Sequence, residues 1–98
     1  MNLEELRNEI NGIDEAIVEL LDRRAATAGE IGRIKAAAGL PVFDRRREAD
    51  VMRRVTHASS GDFGDSAMAR IFAEIMLESR RLQRTVTVAG RQQLEEAK

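Results

Sequence analysis

The sequence predicts an all-α fold of three helices per chain, on three observations. Apolar residues recur at alternating spacings of three and four from Leu3 to Ile34, the single proline stands at Pro41 just beyond them, and turn-forming residues gather in two short stretches, Gly39–Phe43 and Ser59–Gly64.

The first helix is expected from about Asn2 to Ala38. Its seam reads Leu3, Leu6, Ile10, Ile13, Ile17 and Leu20, then Arg24, Thr27, Ile31 and Ile34, and Gly39 with Pro41 supplies the stop. At 1.5 Å per residue, roughly 36 residues reach about 54 Å, more than the diameter of a compact domain of this size, so one chain cannot cover the seam alone. Gly12, Gly29 and Gly32 each weaken the helix by about 1 kcal/mol relative to Ala; each reads equally as surface tolerance or as a place where another helix comes close.

Asp44 is a good N-cap for a second helix from Arg45 to about Ala58, with apolar residues at Ala49, Val51, Met52, Val55 and Ala58. Beyond the Ser59–Gly64 loop, Asp65 or Ser66 can cap a third helix, expected from about Ser66 to Thr87. Its apolar face reads Met68, Ile71, Phe72, Ile75, Ser79, Leu82 and Val86, so Ser79 and the adjacent Gln83 interrupt it one turn apart. The stretch Gly90–Lys98 is polar and is expected to fray, which divides the chain into a folded domain over residues 1–88 and a polar C-terminal tail over 89–98.

Composition narrows the function. With 98 residues, 43% apolar and 34% charged, the chain reads as one small soluble domain near the size at which a lone core is only marginally stable. Glu4 and Glu5 stand where a signal peptide would be basic and then apolar, and no stretch approaches the roughly 20 apolar residues of a membrane span, so the expected location is cytoplasmic. No cysteine and one histidine, His57, leave no thiol nucleophile, metal site or histidine-centred triad; no metal and no cofactor are expected. A net charge of −1 and three aromatic residues, all Phe, do not fit a nucleic-acid binder.

The seam itself carries the first functional signal. Arg24 occupies a position that the spacing assigns to an apolar residue, and burying a guanidinium without compensation costs several kcal/mol, so a carboxylate or an anionic ligand must meet it. Lys35 lies eleven residues on, about 20° around and about 16 Å along the helix, and both cations point toward one cavity. Read alone, Lys35 fits a lysine snorkelling at a helix end equally well. Arg7 lies about 25 Å from Arg24 and reaches the same cavity only from an antiparallel partner chain; otherwise it is a surface arginine. Asp44, Arg47 and Glu48 at i, i+3 and i+4 can face one point, although Arg45-Arg46-Arg47-Glu48 also has the look of a solvated charge run. Ser79 and Gln83 suit an inter-helix hydrogen-bonded pair or a ligand. The pairs Arg53-Arg54 and Arg80-Arg81 read as solvated, His57 as a surface or capping residue, and the four methionines as core filler.

Leu6-Arg7, Ile13-Asp14, Arg23-Arg24, Glu30-Ile31-Gly32-Arg33-Ile34-Lys35, Leu40-Pro41-Val42-Phe43-Asp44, Arg47-Glu48, and Ser79 followed by Gln83 together resemble the all-helical chorismate mutases. The likeness extends from about residue 3 to residue 86 with the family's spacing throughout. It implies an intertwined homodimeric helical bundle in which each site takes one arginine, Arg7, from the other chain. It also implies the Claisen rearrangement of chorismate, a dianion, to prephenate, an intramolecular reaction without acid, base, nucleophile, metal or covalent intermediate.

Carried over residue by residue, the resemblance assigns Arg24, Lys35, Glu48 and Gln83 as catalytic, and Arg7, Ile31, Asp44, Arg47 and Ser79 with those four as substrate-binding. Arg7 of the partner chain and Arg24 would grip the two carboxylates, with Arg47 in support and Ser79 and Ile31 lining that end. Lys35 and Gln83 would donate to the ether oxygen, and Glu48 with the Asp44 backbone would meet the ring hydroxyl. Because arginine grips carboxylates bidentately, replacing Arg24 by Lys is not expected to be conservative. Some family members carry a glutamate where Gln83 stands; an amide does not titrate, so the rate is expected to stay nearly flat from mildly acidic to mildly basic pH and to fall only as Lys35 deprotonates.

Phe43 beside Asp44 departs from relatives with a charged residue there and implies a more apolar rim. Nothing in the chain resembles an attached dehydratase, dehydrogenase or synthase domain, which points to a stand-alone, unregulated enzyme. The alternatives on the same scaffold are a 4-amino-4-deoxychorismate mutase and an isochorismate pyruvate lyase, and outside catalysis a regulatory partner of another shikimate-pathway enzyme.

Overall fold

A computed structural model of the chain describes the backbone of residues 1–96 and the side chains of residues 1–86. Its three helices are α1 (Leu3–Ala38), α2 (Arg45–Ala58) and α3 (Gly64–Glu96), with no strand among the described residues. The all-α, three-helix expectation therefore holds.

The ends of α1 follow from local chemistry. Asn2 caps it, its side-chain oxygen accepting from the Glu5 N–H at 2.8 Å, and Glu4 and Glu5 place negative charge where the helix dipole favours it. At the other end Gly39 adopts φ 69°, a left-handed conformation that costs glycine nothing. This lets the Gly39 and Leu40 N–H groups turn back to the carbonyls of Ala36 and Lys35 and close the helix. Asp44 caps α2 as expected, accepting from the Arg47 N–H at 3.0 Å.

The third helix differs from its expected limits at both ends. It begins at Gly64, so Asp65 lies inside the first turn, where its charge suits the dipole, instead of at the cap. It also runs past Thr87 to Glu96, across the stretch expected to fray. One glycine at position 90 costs about 1 kcal/mol, and the arginine, glutamines, leucine and glutamates that follow are strong helix formers. Ala97 and Lys98, the end of the expected tail, lie outside the described residues.

Helix α3 packs against both α1 and α2, and the result is a thin layer with extents of 64 × 28 × 14 Å. The radius of gyration of 17.6 Å exceeds the roughly 13 Å of a compact chain of this length. Only Ala28 and Met76 form a buried apolar core among the described residues, while Leu3, Leu6, Ile10, Ile13, Ile17 and Leu20 are 45–61% exposed. The N-terminal half of the α1 seam thus stays exposed to solvent, with no helix packed over it among the described residues. Of the methionines, Met76 is buried and Met52 and Met68 are half-buried, but Met1 is 82% exposed at the chain start and fills nothing. No described helix is long and apolar enough to cross a membrane.

The α1–α3 crossing is tight at Gly32. A Cβ there would stand 2.7 Å from Val86 Cγ2 and 3.0 Å from Gln83 Cα, so the absence of a side chain sets the spacing of the two helices. Gly12 and Gly29 meet no such obstacle.

Candidate active site

The close approach at Gly32 brings α3 alongside the C-terminal half of α1, and α2 covers the gap from the other side. Between them lies a cavity of about 370 Å³, a size ordinary for small-molecule sites. Eight of the nine residues singled out from the sequence surround it: Arg24, Ile31, Lys35, Asp44, Arg47, Glu48, Ser79 and Gln83. Arg7 does not; it is exposed on the uncovered half of α1.

Arg24 and Lys35 enter from the same side of α1, as their separation requires. Arg24 Nη1 donates to Ser79 Oγ at 2.5 Å, and that hydroxyl donates in turn to the Ile75 carbonyl at 2.9 Å. Lys35 Nζ donates to the Val42 carbonyl at 2.8 Å and to Gln83 Oε1 at 3.1 Å. All of these acceptors are neutral. Among the described residues neither cation forms an ion pair, so neither guanidinium nor ammonium is held by a carboxylate. Of the two ways to compensate Arg24, the carboxylate is absent from the described residues.

Gln83 is 8% exposed, and Lys35 fixes the orientation of its amide by donating to the carbonyl end. Met76, Ala28, Val42 and Val51 supply apolar wall. The site combines fixed donors, two cations without an ion-pair partner among the described residues and a largely non-polar wall, which suits a small polyanion with a hydrocarbon body.

At the α2 end the polar groups are already engaged. The Asp44 carboxylate caps the helix. Arg47 is 62% exposed on its side chain and donates to Asp50 at 3.0 Å, so its guanidinium is turned toward the outer face of α2. Asp50 also receives Arg54 at 3.1 Å and Arg53 at 3.4 Å. Loss of solvent raises the Asp50 carboxyl, but the hydrogen bond from Arg54 and the charges of Arg54, Arg53 and Arg47 outweigh that effect and hold it below the usual aspartate value.

Arg80 corrects the sequence reading. Expected to be solvated with Arg81, it instead lines the cavity, donates to Glu48 Oε1, and lies over the Phe43 ring with 5.6 Å from its guanidinium carbon to the ring centroid. The two charged side chains are 23% and 22% exposed. Arg53, Arg54 and Arg81 are solvated as expected, at 71%, 75% and 62%. The missed signal was periodic: Met76, Ser79, Arg80 and Gln83 stand at i, i+3, i+4 and i+7, one face of α3, and reading Arg80-Arg81 as a doublet hid it. The rim at Phe43 is correspondingly charged as well as apolar.

The sequence model of the family described as chorismate mutase type II matches residues 6–84. The chain is 36% identical over 91 residues to the bifunctional chorismate mutase/prephenate dehydratase of Aquifex aeolicus, covering 89% of this chain and 25% of that protein. Its identity to the enzyme of the same description from Neisseria gonorrhoeae is 37% over 83 residues, or 85% and 22% of the two chains. The chain thus spans about a quarter of the length of these curated relatives. Among solved structures, the chorismate mutase of Thermus thermophilus (Form II) superposes with a TM-score of 0.82 at 32% identity, covering 84% of this chain and 93% of that one. The chorismate mutase of Helicobacter pylori in complex with prephenate gives 0.78 at 27%, covering 86% and 91%. With its three-helix fold and matched residues 6–84, the chain belongs to the type II chorismate mutase family.

Proposed function

We propose that the protein is a chorismate mutase that converts chorismate to prephenate by holding and electrostatically stabilising the substrate. The observation that carries this reading is the pair of cations, Arg24 and Lys35, that face one cavity without a carboxylate partner among the described residues. Chorismate brings two carboxylates and a hydrocarbon ring. Family membership and the prephenate complex of the Helicobacter pylori relative support the same chemistry.

Rearrangement breaks a carbon–oxygen bond and forms a carbon–carbon bond within one molecule, so the protein has only to fix a compact conformer and favour the charge that develops. Arg24, steadied by Ser79, grips one carboxylate. Ile31 and the neighbouring apolar wall press the ring and side chain together. Lys35 and the Gln83 amide are directed at the ether oxygen, where negative charge grows as the bond lengthens; one such donor is worth about 10²–10³ in rate. Glu48 accepts the ring hydroxyl near the Asp44 backbone, and Arg47 reaches the substrate by leaving Asp50.

The second carboxylate is met by Arg7 of a partner chain in an intertwined homodimer. The exposed seam from Leu3 to Leu20 supports this, as does a hollow that adjoins Arg24, free of α2 residues, whose apolar lining is Leu21, Ala25, Ile75 and Leu82 and whose remaining lining includes Asp22, Glu74 and Glu78. A second copy laid on that face covers both. The assembly functions in the cytoplasm.

The test is to incubate purified protein with chorismate, follow the loss of its ultraviolet absorbance and identify the product by NMR. Formation of prephenate is expected. Absence of turnover by a folded dimer sinks the reading.

A further inference from the structure

Glu48 does not wait in the cavity as a bare anion: Arg80 occupies it. We infer that Arg80 sets the substrate's ring substituent, making the site select a neutral hydroxyl over an ammonium. The inference rests on the proposed mutase reading and deepens it by naming which of two analogous substrates the site takes.

Two carboxylates at the start of α2, Asp44 and Glu48, would by themselves favour a cationic substituent, because a carboxylate attracts an ammonium far more than it does a hydroxyl. They are engaged differently. Asp44, exposed, directs its carboxylate at the α2 N-terminus, accepting from the Arg47 backbone N–H at 3.0 Å, whereas the charge of Glu48 is met by Arg80, which donates to it through Nη1. Arg80 is held from two directions, by Glu48 and by the face of Phe43 at 5.6 Å, and with Glu48 it is largely shielded from solvent, which weakens screening. A substituent that meets Glu48 therefore meets an ion pair of zero net charge. A hydroxyl can still donate to a remaining lone pair of the carboxylate. An ammonium has to approach the guanidinium as well, with Lys35 and Arg24 adding positive charge across the same cavity. Arg80 is a positioning residue in this account: it acts through Glu48 and through its own field.

The test measures kcat/KM of the wild type, Arg80→Gln and Arg80→Lys with chorismate and with 4-amino-4-deoxychorismate. The wild type should prefer chorismate. Arg80→Gln should move the ratio of the two kcat/KM values toward the amino substrate by roughly tenfold or more, chiefly through its KM, whereas Arg80→Lys, which keeps the charge, should stay within about threefold of wild type. A merely structural role would depress both substrates alike. Wild-type preference for the amino substrate overturns the inference whatever the variants do. So does an unchanged ratio in Arg80→Gln, or a shift in Arg80→Lys as large as in Arg80→Gln. Turnover of neither substrate by the wild type overturns the mutase reading as well.

Discussion

Lys35 and Gln83 join α1 to α3 across 3.1 Å, directly beside the point where Gly32 lies against the Gln83 backbone. The donor pair of the candidate site and the close helix contact at Gly32 are thus one locus. Spacing of the helices sets spacing of the donors.

Replacing Gly32 by Ala should therefore damage stability and activity together. Its Cβ would need the space of Val86 Cγ2, a β-branched side chain with little rotamer freedom in a helix, and would also stand 3.0 Å from Gln83 Cα, which moves only with α3. Overpacking of this kind costs about 1–3 kcal/mol, and a shift approaching 1 Å at Gln83 can lower kcat by about 10²-fold. Urea unfolding and steady-state kinetics of the variant would show both losses; a stable variant with wild-type kcat would mean that helix spacing does not set the donor geometry.

Gln83→Glu isolates the role of the amide. Beside Lys35 the new carboxylate would be ionised at neutral pH, would accept from the ammonium and could no longer donate to a developing oxyanion. The expected rate at pH 8 is lower than wild type by about 10²-fold, with partial recovery as the pH falls toward the ordinary glutamate range near ~4.3. Wild type should show no such acid branch. The pH dependence of kcat for the two proteins decides it.

Asp50 gives a pH dependence of stability with a definite sign. Its carboxyl titrates lower in the folded chain than the roughly 3.9 of an unfolded aspartate, so the unfolded state binds the proton first as pH falls. The Asp50 contribution is complete above the unfolded value and is lost as pH drops through the folded one. Asp50→Asn should consequently lower the urea midpoint at pH 7, and the two midpoints should converge in strong acid. The difference should also shrink in high salt, since Asp50 and its three arginines are accessible to solvent.

Much of this was legible before the structure. The alternation of three and four from Leu3 onward dictates α1, Gly39 and Asp44 mark its end and the start of α2, and a charge at Arg24 inside an apolar seam announces a polar interior. Three features were not legible for physical reasons. The end of α3 lacks a stop signal, since one glycine costs a helix little. Arg80 looks like its neighbour Arg81 in sequence, yet about 100° of helical rotation separates a side chain over Phe43 from one in solvent. The engagement of Arg47 by Asp50 depends on which rotamer a long side chain adopts among several acceptors, and spacing alone does not choose it.

The proposed sharing of Arg7 between chains has a test that does not depend on seeing the dimer. Arg7→Ala and Arg24→Ala should each abolish nearly all activity as homodimers, because every site then lacks one carboxylate clamp. In a mixed dimer, one site combines Arg24 from the first chain with Arg7 from the second and is intact, while the other site carries both losses. Random re-assortment of equal amounts makes half the dimers mixed, each with one working site of two, so refolding the variants together should restore roughly a quarter of wild-type activity. Sites contained within single chains would restore none. Ile13→Asp, which puts a charge in the exposed apolar seam, should meanwhile yield monomers by sedimentation and lose activity, since Arg7 could then no longer be delivered to the cavity.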